Sequence, residues 1–323
     1  MSTSGLLQLG FIPLVDAAPL IVAREKGFFA AEGLSVSLSR EGSWATIRDK
    51  VAAGALDGAH MLAPMVLAAS LGIGCEPKAM IAPIALNRGG AAVTLSTRLA
   101  GDGDAGAGLT HLVRRRQEEG ASPLTLAVVY PFSIHNYLLR HWLAGLGLNP
   151  DVDVRLTVVP PPRTAALLGE GVIEGFCAGA PWNAVAEAAG VGQTIVRVTE
   201  VWPEAPDKVL GVTEFWAAAN PGILRALIRA LATAGAWAAD PCNQAELVAL
   251  LARQEFLDTA PDAIASDLSE IAFAGPGVNP PRREQAAWLL EQMVRWGQVG
   301  EVDADKVAER CWRPDLYLAA QER

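Results

Sequence analysis

Four cysteines are spread through 323 residues, at Cys75, Cys177, Cys242 and Cys311, and no two form a C-x-x-C pair. Such wide spacing argues against a disulfide framework or a thiolate metal site, and reduced thiols are the simplest reading. Basic residues are also in deficit: 26 Lys and Arg face 35 Asp and Glu, a formal net charge of -9. Nucleic-acid surfaces draw their affinity from Lys and Arg on phosphates, so this balance weighs against direct nucleic-acid binding. It also means that any anion site must be local, because the overall field repels anions. No apolar run approaching about 18 residues is evident, so no membrane-spanning helix is expected. Met1-Ser2-Thr3-Ser4-Gly5 carries neither a basic segment nor a long apolar core, so no export signal is expected and the location predicted is cytoplasmic. Signature motifs are missing as well. There is no G-x-S-x-G elbow, Walker loop, H-E-x-x-H or Rossmann glycine motif at a strand–helix turn. Gly101-Asp102-Gly103 is glycine-rich but does not join a strand to a helix.

What is present is globular: 51% hydrophobic residues punctuated by 31 Gly and 21 Pro. Strands are predicted over 7–12, 36–38, 59–62, 78–84 and 91–95, with helices over 19–31, from Ser43 and from Pro64. Asn87-Arg88-Gly89-Gly90 reads as a turn between two of these strands, and 101–108 as a polar loop at a lobe boundary. A second series follows: strands over 124–129, 154–159, 175–179 and 195–198, with helices opening at Ser133, Thr164 and Pro181. After a returning strand over 209–215 the chain is mostly helical, over 224–239, 244–254, 261–271 and 283–296. Trp288, Leu289, Met293 and Trp296 fall near helical spacing and read as core. This alternation predicts largely parallel sheets with crossover helices, an α/β chain of two similar lobes. The first lobe takes residues 1–96 plus 209–323 with its helical C-terminal part, and the second takes 97–208.

Three helix starts face the ends of strands where ligands bind in such sheets: Ser43-Trp44, Ser133-Ile134-His135 and Pro181-Trp182-Asn183. Ser43 and Ser133 suit the N-cap position. Free backbone N–H groups and the helix dipole there attract an anion. Trp44 reads equally as a core tryptophan or as an indole N–H donor beside a planar ligand. His60, His111, His135 and His141 do not pair at ligand spacing, and a lone histidine is more often structural; His135 differs by lying in a first helical turn. Lys208 reads either as a solvated lysine or as the ammonium of an oxyanion cradle.

Several motifs carry a resemblance. They are Gly10-Phe11-Ile12-Pro13-Leu14 with Ala18-Pro19-Leu20, Glu25-Lys26-Gly27-Phe28-Phe29, Ser43-Trp44-Ala45 with Arg48-Asp49-Lys50, and Asp57-Gly58-Ala59-His60. Gly175-Phe176-Cys177 with Gly179 and Pro181-Trp182-Asn183, and Arg295-Trp296-Gly297-Gln298, continue the series. In order and spacing the chain resembles the nitrate- and bicarbonate-binding proteins of ABC importers along nearly its whole length. That resemblance implies a type II periplasmic-binding-protein-like fold, two α/β lobes with a ligand cleft between them, and no enzyme activity. It implies nitrate or nitrite as ligand, no cofactor and no metal. By motif, the ligand residues fall on Trp44, His135, Lys208 and, for an amide, Asn87, with Ser43, Gly179 and Pro181 beside them. Ala180 stands where the transporter proteins tend to carry an acid, a departure that weakens a metal-assisted bicarbonate site. Pyrimidine-synthesising relatives of the fold use a lysine-bound pyridoxal cofactor and a cysteine-rich motif, and this chain has no such cluster.

With no export signal expected, the chain is similar to the cytoplasmic nitrate/nitrite sensors of the NasS type. That likeness implies sequestration of an ANTAR-domain, RNA-binding antiterminator (NasT-like), released when the anion binds, in control of nitrate assimilation. The other function that the resemblance allows is the nitrate-binding component of an ABC importer.

Overall fold

A computed structural model of the chain describes residues 5–100 and 104–322. Met1–Ser4, Gly101, Asp102 and Gly103 lie outside the described residues, so the readings of the N-terminus and of the first part of the 101–108 loop fall there. Eleven strands are found among the described residues. In chain order they are β1 (Leu7–Phe11), β2 (Val36–Arg40), β3 (Gly58–Leu62), β4 (Met80–Gly89), β5 (Ala91–Ser96) and β6 (Leu124–Val128). Then come β7 (Val154–Val158), β8 (Gly175–Gly179), β9 (Gly192–Arg197), β10 (Pro206–Thr213) and β11 (Ile271–Ala272).

The chain forms two compact units, one from 5–89, 204–261 and 271–322, the other from the described residues of 90–203 with 262–270. The expected boundaries at 96/97 and 208/209 move because β5 belongs wholly to the second sheet and Lys208 lies inside β10 of the first. In the first unit a six-stranded sheet runs β11-β4-β10-β3-β1-β2. β1 pairs in parallel with β2 and β3, whereas β10 is antiparallel to both β3 and β4. In the second unit a five-stranded sheet runs β7-β6-β8-β5-β9, with β5 antiparallel to both neighbours. The sheets are therefore mixed rather than largely parallel. Parallel pairing needs a long crossover, usually a helix. Only Gly90, at φ 84°, separates β4 from β5, so the chain enters the second sheet with no crossover helix.

Other differences from the sequence reading are local. Asn87 and Arg88 lie inside β4 and not in a turn, since β4 continues to Gly89 alongside β10 and β11. Residues 105–108 are the first turn of a helix, Ala105–Glu118, because Asp104 accepts bonds from the N–H groups of Gly106 and Ala107. The 19–31 helix is broken at Gly27, at φ 74°, into Ala18–Glu25 and Phe28–Ala31. Leu289 and Met293 are buried, while Trp288 and Trp296 are half-buried.

One helix, Pro221–Ala239, is long and apolar enough by length and composition to cross a membrane, contrary to the expectation that none would be. Half of it is buried in the first unit, where it packs on the helices at 18–25, 28–31 and 314–321. Its Gly235 faces the Phe273 backbone carbonyl so closely that an added Cβ would sit 2.7 Å from that oxygen. Alanine would gain about 1 kcal/mol of helix propensity. A backbone carbonyl cannot rotate aside, however, and overpacking costs about 1–3 kcal/mol. Gly235→Ala is therefore expected to lower the melting temperature. Thermal unfolding by circular dichroism checks this, and an unchanged or higher melting temperature contradicts it.

Candidate functional site

In the first unit, four secondary elements converge on one buried polar cluster. β1 ends in a short turn, Val15–Ala17, that carries Asp16. β3 carries His60, and β10 carries Asp207 and Lys208. The helix Trp44–Ala53 begins with Trp44, its N-cap Ser43 accepting from the Thr46 N–H at 3.2 Å. All these side chains except Ser43 are at most 1% exposed. Lys208 Nζ donates to Asp16 Oδ2 at 2.7 Å and ion-pairs with Asp207 at 2.6 Å. His60 Nε2 meets Asp16 Oδ1 at 2.7 Å. The Trp44 ring lies 5.4 Å from the His60 ring between centroids, and Lys208 Nζ stands 5.7 Å from the Trp44 centroid.

Local irregularity makes the cluster possible. Consecutive residues of a regular strand point to opposite faces. The pairing of β10 with β4 shifts register on both sides of Lys208, and such a bulge re-aims side chains, here letting adjacent Asp207 and Lys208 touch. Asn87 of β4 clamps this bulge. Its Oδ1 accepts from the Lys208 backbone N–H at 3.1 Å, and its Nδ2 donates to the Gly89 carbonyl at 3.2 Å.

Burial penalises every charge here, and only pairing lets charges survive. Burial pushes the Asp16 carboxyl up, but the Lys208 ammonium and then His60 outweigh it and hold Asp16 well below the usual range. Burial, with the Lys208 ammonium beside it, pushes the His60 imidazole down by more than Asp16 restores, so it is neutral near pH 7. The Lys208 amine is held up, because Asp16 and Asp207 together outweigh burial. Asp207 behaves oppositely to Asp16: burial raises its carboxyl to about 7 against the pull of Lys208. With its proton on Nε2 facing Asp16, neutral His60 presents Nδ1 as an acceptor, and that atom has no hydrogen-bond partner. The Trp44 indole Nε1–H is likewise buried without one. One donor and one acceptor thus stand ready beside a neutralised lysine.

The predicted ligand residues divide between the units. Trp44, Asn87 and Lys208 lie in the first, where Lys208 proves to be doubly ion-paired and not a free ammonium. Ser43 caps the Trp44 helix. In the second unit His135 is buried in the first turn of Ile134–Gly145, whose cap Ser133 accepts from the Asn136 N–H. Gly179 ends β8, and Pro181 precedes the helix Trp182–Ala188. Sequence reasoning missed Asp16 and Asp207 and left His60 without a role. Two signals were available: Asp16 is the lone charge in Phe11–Ala23, and Asp207 adjoins the lysine already singled out.

Comparison with known proteins gives these features a context. A bicarbonate transport ATP-binding protein, CmpC of Synechocystis sp., is 41% identical over 312 residues, which cover 91% of this chain. The chain spans 46% of that protein, and about half the length of the curated relatives of this kind. A nitrate/nitrite binding protein, NrtA of Synechococcus elongatus, is 32% identical over 97% of this chain and 77% of its own length. The crystal structure of the periplasmic nitrate-binding protein NrtA from Synechocystis PCC 6803 superposes with a TM-score of 0.92 at 28% identity, covering 98% of this chain and 88% of that one. The fold is accordingly that of the periplasmic binding proteins, built from two α/β lobes. Residues 3–252 match the NMT1-like family, and with more than half of the sequence matched, the chain belongs to that family.

Proposed function

We propose that this chain binds nitrate or nitrite as the anion-binding part of an ABC import system. The observation that carries the reading is the Trp44 indole N–H, buried without a partner beside Lys208, in a chain that aligns along 97% of its length with a nitrate/nitrite binding protein. A buried unsatisfied donor is uncommon, and a planar oxyanion would satisfy it. Lys208 stands beside it, held between Asp16 and Asp207, and His60 lines the cluster. By motif, Asn87, Ser43, His135, Gly179 and Pro181 also belong to the proposed ligand set. Asn87 acts there chiefly by holding the bulge that aims Lys208.

Calorimetric titration with sodium nitrate and sodium nitrite tests the reading, with sodium bicarbonate and sodium sulfate alongside. Saturable binding of nitrate or nitrite is expected, and an absence of heat with both at millimolar concentration and at every pH from 6 to 8 contradicts it. Hydrogencarbonate is a second reading, favoured by one observation: the bare acceptor at His60 Nδ1 suits a ligand that keeps an O–H. Tighter binding of bicarbonate than of either nitrogen oxyanion would decide for it.

A finer proposal concerns the setting. As a cytoplasmic sensor, the chain would hold an ANTAR-type antiterminator and release it on anion binding, a role that rests on the likeness to sensors of the NasS type. Ligand and partner would then weaken each other's binding by the same factor. Co-purification of such a partner, lost on adding nitrate, would favour the sensor; co-purification with a permease would favour import.

A further inference from the structure

The buried cluster has a charge sum that restricts what it can admit. Asp16 and Asp207 both contact the one ammonium of Lys208, at 2.7 and 2.6 Å, and His60 is neutral. With both carboxylates ionised the sum is -1 before any ligand arrives. A monovalent anion would make it -2 among side chains at most 1% exposed. Uncompensated buried charge is costly, and one added proton returns the sum to -1. We propose that the cluster takes up its anion together with one proton from solvent, held on the Asp207 carboxyl group. The inference rests on the anion-binding reading above.

Geometry selects Asp207 as the carrier. Asp16 accepts from two donors, Lys208 Nζ on Oδ2 and His60 Nε2 on Oδ1, so a proton on either oxygen would displace one of them and weaken the other contact. Asp207 has one cationic contact, the ammonium, and otherwise faces the Asp16 carboxyl, with which a proton can be shared but a second negative charge cannot. The groups facing Asp207 are few. Lys208 is its neighbour on β10, Asp16 comes from the turn after β1, and His60 on β3 acts through Asp16. From β4, Asn87 does not titrate, and Arg88 is ion-paired with Glu204 at 2.6 Å. Burial first and Asp16 second raise the Asp207 carboxyl to about 7, while Lys208 opposes them, so the proton is accessible near neutrality. One O–H bond forms at Asp207, the proton leaves buffer or water, and no other bond breaks. Protonation leaves Lys208 with Asp16 as its one anionic partner and frees an ammonium N–H for the incoming oxyanion.

The test is calorimetry of the full chain with sodium nitrate and with sodium nitrite, in phosphate and in Tris at equal pH. The difference in apparent heat between buffers of unlike ionisation enthalpy counts protons. About one proton per anion is expected at pH 8, falling toward none at pH 6, with Kd rising about tenfold per pH unit above 7. In Asp207→Asn the proton count should vanish and Kd should stay level from pH 6 to 8.5; a thermal melt confirms that the variant is folded. Asp207→Glu, which keeps a titrating carboxyl, should retain the uptake. Binding by the natural chain with no proton uptake and a level Kd overturns this inference and leaves the anion-binding reading standing. Uptake that persists in Asp207→Asn overturns the assignment to Asp207. Absence of binding by either anion at every pH fails the anion-binding reading and takes this inference with it.

Discussion

Replacing Lys208 by alanine is expected to destabilise the first unit by about 3–5 kcal/mol, the range found when one partner of a buried ion pair is removed. The side chain is fully buried and stands between two carboxylates, so its loss leaves Asp16 and Asp207 facing each other without a counter-charge. A melting temperature lower by on the order of 10 °C follows for a unit of this size. The sign of the pH dependence is specific. Without Lys208, both carboxyls would have folded-state values above their unfolded ones. Groups raised in this way favour the fold at pH below the unfolded value and lose that contribution as pH rises through the folded one. The deficit of the variant should therefore be large at pH 8 and shrink toward pH 4. Urea unfolding at the two pH values checks it, and a deficit independent of pH would show that the cluster is not the cause. The same reasoning makes Lys208→Ala a poor probe of ligand contact, since it disturbs fold and site together.

Trp44→Phe is the cleaner probe and carries the second large effect. Phenylalanine keeps an aromatic ring against His60 and Lys208 but has no N–H. In the structure that N–H bonds to nothing, so deleting it breaks no hydrogen bond and stability should fall only by the loss of packing volume. A hydrogen bond to a charged group is worth about 1.5–3 kcal/mol. Nitrate or nitrite affinity should accordingly fall by about 10- to 100-fold. Trp44 has two readings, core or ligand contact, and the variant separates them. An unchanged Kd with a lowered melting temperature would assign the residue to the core alone.

Much of the chain is legible locally. The cap at Ser43 and the one at Ser133 form as the side-chain chemistry predicts, since each satisfies an N–H of its own first turn. β1, β3, β6, β7 and β8 lie where short apolar or alternating runs are bounded by Gly, Pro or polar residues. The Asp104 cap is hidden in the sequence because the glycine-rich stretch after it reads as a loop, and Asn87 reads as part of a turn because Gly89-Gly90 follow it. Both errors are of one kind: glycine marks a change of direction but does not say at which residue the element ends.

The amino-acid sequence by itself determined the two α/β series, the caps that start the helices, and the motif order that places the chain in its family. These depend on neighbours within a few residues or on residue order. Tertiary structure alone decided the antiparallel settings of β5 and β10, the bulge at Lys208 and the meeting of Asp16, His60, Asp207 and Lys208. Those residues are up to 192 positions apart, and no local propensity links them. The charge state of the cluster was decided there too. A lysine read from its neighbours is a free cation. Enclosed at 2.7 and 2.6 Å by two carboxylates with no solvent to screen them, it is a neutralised one, and the question at this site becomes which proton accompanies the anion.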